Sequence, residues 1–102
     1  MKLAYFTQPV HPIHRDYREV LQENMEAIIL ADRLGYDEAL VGEHFTDLAE
    51  PITSALMFLA RLIPETRTIK LGPGIVNLPV YHPVMMAGHV AMIDHLMDGR
   101  FV

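Results

Sequence analysis

The chain has 102 residues, 51% hydrophobic and 21% charged, with a net charge of −5 and no cysteine. That balance describes a globular protein of one domain at most. The lack of any basic block excludes nucleic acid as a partner, because phosphate binding needs clustered Lys and Arg.

The missing cysteines exclude a disulfide framework and a Cys-based zinc or redox centre, and they fit a cytoplasmic protein. The opening MKLAYFTQPV is no signal peptide, since its apolar stretch runs at once into Gln8, Pro9 and His11. No run approaches the ~18 apolar residues of a membrane span, so no membrane partner is expected.

Leu3 to Phe6 reads as a short buried strand. Thr7 to Arg15 carries Pro9 and Pro12 and reads as a loop. Asp16 with Glu19 three positions on has capping-box spacing and starts a helix. Apolar residues at 17, 20, 21, 25, 28, 29 and 34 give it one core-facing stripe, and Gly35 ends it. Tyr36 to Gly42 is the second strand. A loop over 43–51 leads to a second helix from Ile52 to Leu62, with Thr53 as its cap. That helix is apolar nearly all round and should be covered on more than one side. Thr68 to Ile75 is the third strand, although Pro73 argues against full pairing at its end. Asn77 to His82 is a loop. Pro83 opens a third helix, which runs to Met97 and stops at Gly99. Arg100-Phe101-Val102 looks like the start of a fourth strand.

The order β-α-β-α-β-α predicts a parallel sheet with right-handed crossovers, an α/β fold. The sheet is unfinished. A closed eight-stranded barrel takes ~250 residues, and ~200 is the usual floor. The expectation is a fragment of such a barrel, because the chain stops inside a strand-like run. A small α/β domain that covers its edges by association is the alternative.

Chemistry concentrates in Val-Gly-Glu-His-Phe-Thr-Asp, residues 41–47. Carboxyl ends of parallel strands are where α/β folds keep their sites. An imidazole titrates near neutral pH, so His44 is the candidate acid, base or hydrogen-bond donor. The alternative is a loop His bonded to Glu43 or Asp47 for structure alone. Glu43 either orients His44 or caps the loop, and Asp47 reads as a loop or cap residue. His89 and His95 lie within the third helix and read as packing or surface residues, and His82 as an extended residue before proline. His11, His14, His44 and His82 would all fall at one end of the sheet. That is the basis of a competing class, a metal-dependent barrel hydrolase. Against it, His11 and His14 sit in a Pro-rich loop, and no metal ligand is assigned.

Glu43-His44-Phe45-Thr46-Asp47 resembles the bacterial luciferase-like monooxygenases. Three further stretches agree in order and spacing. They are Met1 to Phe6; Ile69-Lys70-Leu71-Gly72-Pro73-Gly74-Ile75-Val76-Asn77-Leu78-Pro79; and His82-Pro83 with Asp94-His95-Leu96 and Gly99-Arg100-Phe101. The resemblance covers the whole chain and implies the N-terminal part of a TIM (β/α)8 barrel, residues 1–102 forming about three β/α units and the start of strand four. It implies a flavin-dependent monooxygenase using reduced FMN and O2 on a small apolar organic substrate, with a deazaflavin as the other carrier. A flavin reductase and an oligomer are the implied partners. His44 matches the family's catalytic His beside the flavin. Glu43, Gly74, Ile75 and Asn77 are then the cofactor-binding candidates, with Gly74–Ile75 as a non-proline cis bond against the ring. This chain has Glu-His-Phe where light-emitting members carry Glu-His-His. The chain by itself is expected to be inactive, and a non-catalytic flavin-binding or assembly fragment is a third reading.

Overall fold

Parallel pairing is what the alternation of elements demanded, and a computed structural model, which describes every residue except Thr46, shows it. Strand β1 (Ala4–Thr7) pairs with β2 (Glu38–Val41), and β2 pairs with β3 (Lys70–Pro73). The order is β1-β2-β3, both ladders are parallel, and Ala4 lies opposite Glu38, which lies opposite Lys70. Phe101 forms a parallel bridge to Leu71, so the next strand begins on the free edge of β3.

Helix α1 (Tyr17–Arg33) begins where the capping residue puts it. The Asp16 carboxylate accepts from the N–H of Arg18 and Glu19. It ends in a Schellman motif: Gly35, at φ 80°, donates to Asp32 O, and Tyr36 donates to Ala31 O. Tyr36 thereby belongs to the helix stop, which is why β2 is shorter than the expected 36–42. β3 is shortened from 68–75 for similar reasons. The Ile69 N–H is taken by Asp32, and Pro73 has no N–H to donate.

Helix α2 (Ala55–Leu62) starts later than Ile52, and its cap is Ser54, not Thr53. Ser54 Oγ accepts from Met57 N–H, whereas the Ile52 carbonyl is drawn off by the His44 N–H. Ala55, Leu56, Phe58, Leu59 and Leu62 are buried, and Met57, at 76% exposure, faces out with Ala60 and Arg61. Helix α3 (Pro83–Met97) opens on its proline as expected. It closes with two left-handed residues, Asp98 and Gly99.

The three helices cover one face of the sheet. Ala39, Val41 and Leu71 meet Ile28 and Ala31 of α1, Leu59 and Leu62 of α2, and Ile93 and Met97 of α3 in one core. The other face carries Phe6, Leu40 and Gly72 and has no helix over it; Phe6 is 51% exposed. Among the described residues, no helix is long and apolar enough to cross a membrane.

Asp32, unremarked in the sequence, ties the far end of α1 to the loop before β3. It accepts from the N–H groups of Arg67, Thr68 and Ile69 and from the Thr68 hydroxyl. Burial opposes its ionisation, but these four bonds outweigh burial and take it from 3.8 to about 2. A carboxylate depressed on folding stabilises above its unfolded pKa and loses that contribution as pH falls through the folded one. Stability should therefore drop between about pH 4 and pH 2, by roughly 1–2 kcal/mol after solvent screening. Urea midpoints across that range check it, and Asp32→Asn should flatten the slope.

Candidate functional site

The loop after β2 is built on Glu43. Gly42 N–H still bonds to Thr7 O across the ladder, and the chain then turns Glu43 inward, where it is only 2% exposed. Its Oε2 accepts from Ala55 N–H at 2.9 Å and from the Tyr81 hydroxyl at 3.0 Å. Its Oε1 accepts from Asn77 N–H at 3.0 Å, and Asn77 Nδ2 donates back to Glu43 O at 3.0 Å. One carboxylate thus joins the end of β2, the start of α2 and the loop after β3. Burial first, then the bond to Glu43, pushes the Tyr81 hydroxyl above its ordinary 10.0.

His44, next in sequence, points the other way and is half-buried. Its Nδ1 meets Glu50 Oε2, while its backbone N–H bonds to Ile52 O at 2.9 Å. Asp47 acts as a loop cap, its Oδ1 accepting from Ala49 N–H at 2.7 Å and Glu50 N–H at 3.2 Å. The loop after β1 and the head of α1 brace this one: His11 N–H donates to Ala49 O, and the Tyr17 hydroxyl donates to Pro51 O. His44, Phe45 and Asp47 face Asn77, Pro79 and Val80 across a cleft of about 470 Å³ at the carboxyl edge of the sheet.

Of the expected site residues, His44 and Asn77 line this cleft, whereas Glu43 is buried behind it with both carboxylate oxygens taken by protein donors. Gly74 lies on the open face beside Phe6 and Leu40, and Ile75 follows it at 40% exposure. The expected cis bond between them is not found: the described residues contain no cis peptide. A trans bond carries the chain out of β3 after the last rung, Gly74 N–H to Val41 O. A non-proline cis bond costs ~3 kcal/mol and needs surroundings that enforce it. A Cβ at Gly74 would lie 2.4 Å from Phe6 Cε2. The missing side chain makes room for the chain's own phenyl ring.

The histidines do not assemble. His11 Nε2 is bonded to Asn24 Nδ2, and His82, His89 and His95 are exposed. Among the described residues, no three His, Cys, Asp or Glu side chains converge as metal ligands would. Sequence reasoning missed Glu50 and Tyr81, whose roles come from contacts to Glu43 and His44 that no local pattern announces. Phe45 and Pro79 were within quoted stretches and Val80 within the loop from Asn77 to His82, but none carried a role.

Parallel β/α units with helices on one face, and polar side chains gathered on loops past the strand ends, define a portion of a TIM barrel with its mouth at that edge. The luciferase-like monooxygenase family profile matches residues 1–102, and the chain belongs to that family. It is 40% identical over 96 residues to 4-hydroxyprotoasukamycin monooxygenase of Streptomyces nodosus subsp. asukaensis, covering 94% of this chain and 26% of that protein. It is 36% identical over 97 residues to limonene 1,2-monooxygenase of Rhodococcus erythropolis, covering 95% of this chain and 25% of that protein. The oxygenating constituent of 3,6-diketocamphane monooxygenase of Pseudomonas putida, a type II Baeyer-Villiger monooxygenase solved with FMN, shares the fold. Its TM-score is 0.92 at 24% identity, over 99% of this chain and 28% of that one. The chain spans about a quarter of the length of these relatives.

Proposed function

We propose that residues 1–102 form the first three β/α units, and the start of strand four, of a flavin-dependent monooxygenase. Its substrate is a small apolar organic compound. The observation that carries this reading is His44, held on a braced loop at the edge of a cleft of about 470 Å³. That volume suits a ring-sized ligand. Phe45, Pro79 and Val80 offer apolar wall, and His44, Asp47 and Asn77 offer polar contacts. The donor set fits the ring system of a flavin and not its phosphate, because no Lys or Arg lines the cleft among the described residues.

When bound, reduced FMN supplies two electrons to O2, so that one oxygen atom enters the substrate and the other leaves as water. His44 holds or moves a proton at its ring nitrogen beside the reacting atoms. Asn77 forms the facing wall. Glu43 acts on the site by fixing Asn77, and Gly74 and Ile75 shape the floor below. A flavin reductase, an oligomeric state and a cytoplasmic setting complete the proposal. One solved structure of this fold holds FMN and another is a coenzyme F420-dependent reductase, so FMN is the carrier proposed and a deazaflavin is its alternative.

The test uses the full-length protein with reduced FMN, O2 and limonene as probe substrate. His44→Ala is expected to cut oxygenated product by roughly 100-fold or more while FMN affinity changes less than about tenfold. Undiminished product formation overturns the reading.

A further inference from the structure

We propose that Glu50 is a positioning residue for His44, fixing which ring nitrogen carries the proton. This rests on the reading of His44 as the group that faces the reacting atoms. The contact is built inside one loop. Asp47 Oδ1 gathers the N–H groups of Ala49 and Glu50, which sets the backbone from which the Glu50 side chain returns toward His44. His44 N–H to Ile52 O closes the loop, and His11 N–H to Ala49 O holds it from outside. Glu50 Oε2 then lies against His44 Nδ1.

That oxygen is shut off from solvent and has no hydrogen-bond partner of its own among the described residues. A buried carboxylate oxygen is unfavourable unless a proton or a positive charge compensates it. The imidazole is the group in place to do so, through a proton on Nδ1. Competing acceptors are occupied: both Glu43 oxygens bond to other donors, and Asp47 Oδ1 serves two backbone N–H groups. His11, from the neighbouring loop, is engaged with Asn24. With the proton on Nδ1, the neutral ring presents Nε2 as an unprotonated acceptor. An unconstrained histidine favours the opposite tautomer, so the carboxylate reverses the ring's own preference. The partner of one ring nitrogen decides the chemistry of the other.

The experiment reads imidazole nitrogen shifts in the full-length protein labelled with 15N-histidine, the His44 signal being assigned by its loss in His44→Gln. The neutral ring is expected to carry its proton mainly on Nδ1. In Glu50→Ala the proton should move mainly to Nε2, with kcat down roughly 10- to 100-fold and KM within about twofold. Glu50→Gln keeps an acceptor oxygen and should restore both the Nδ1–H signature and kcat to within about threefold. A wild-type ring protonated mainly at Nε2 overturns the proposal, and that spectrum needs no variant to fold. An unchanged spectrum in Glu50→Ala overturns it as well. Full oxygenation by His44→Gln would instead defeat the catalytic reading of His44 and leave the Glu50 contact standing.

Discussion

Glu43→Ala is expected to lower the unfolding free energy by about 3–5 kcal/mol, because it leaves three donors without their acceptor. The carboxylate is 2% exposed and receives three donors, Ala55 N–H, Asn77 N–H and the Tyr81 hydroxyl. Truncation strands all of them. Each buried unsatisfied group costs roughly 1–3 kcal/mol, and bonds to a charged acceptor are the stronger kind. A typical domain has only about 5–15 kcal/mol in total, so the variant should melt far earlier or fail to accumulate. Tyr81→Phe removes one donor and leaves the other two in place, and should cost only about 1 kcal/mol. Urea unfolding of both variants beside the parent decides the matter. A Glu43→Ala cost below about 1 kcal/mol would show that the mouth is not held together by this residue. The effect should also reach the site, because Asn77 loses the partner of its backbone N–H.

Gly72→Ala is the second large effect, about 2–3 kcal/mol of destabilisation, through overpacking instead of loss. A Cβ at Gly72 would stand 2.2 Å from Val102 O and 2.9 Å from Val102 Cγ2. The obstacle is backbone, so a rotamer change cannot relieve it. The edge pairing must open: Leu71 N–H to Arg100 O and Val102 N–H to Leu71 O are the bonds at risk. Hydrogen exchange at Leu71 and Val102 should accelerate in the variant, beyond the change elsewhere in the sheet. Gly74→Ala offers the contrast. Its added methyl meets the edge of the Phe6 ring, a side chain that can swing, so its cost should be smaller. Equal costs for the two would mean that the close approach of the fourth strand is not what Gly72 serves.

Local signals in the chain were strong enough to order the elements. Asp16 with its two backbone donors, Gly35 in the left-handed conformation and Pro83 at the head of its helix stand where their own chemistry puts them. Boundaries slipped where a distant partner took a backbone group away. Ile69 was lost to β3 because Asp32, 37 positions earlier, holds its N–H. The start of α2 moved because the Ile52 carbonyl is engaged by His44 and the Ala55 N–H by Glu43. Periodicity and capping rules see only near neighbours along the chain, and these competitors are near only in the fold.

The site divides the same way. From its position after a strand, His44 was legible as the group to watch, and the motif around it pointed to the luciferase-like family to which the chain belongs. The sequence by itself thus determined the parallel β/α order and the place of His44 on the loop past the carboxyl end of β2. These follow from the alternation of elements and from residue type. Tertiary structure alone decided what the neighbours do. Glu43 turns inward to hold α2 and the loop of Asn77, Phe6 fills the space beside Gly74, and Glu50 comes back against the imidazole. Each of those outcomes depends on which donor, ring or charge the folded chain brings within a few ångströms. A carboxylate or a glycine reads the same in sequence whether it faces a ligand or its own protein.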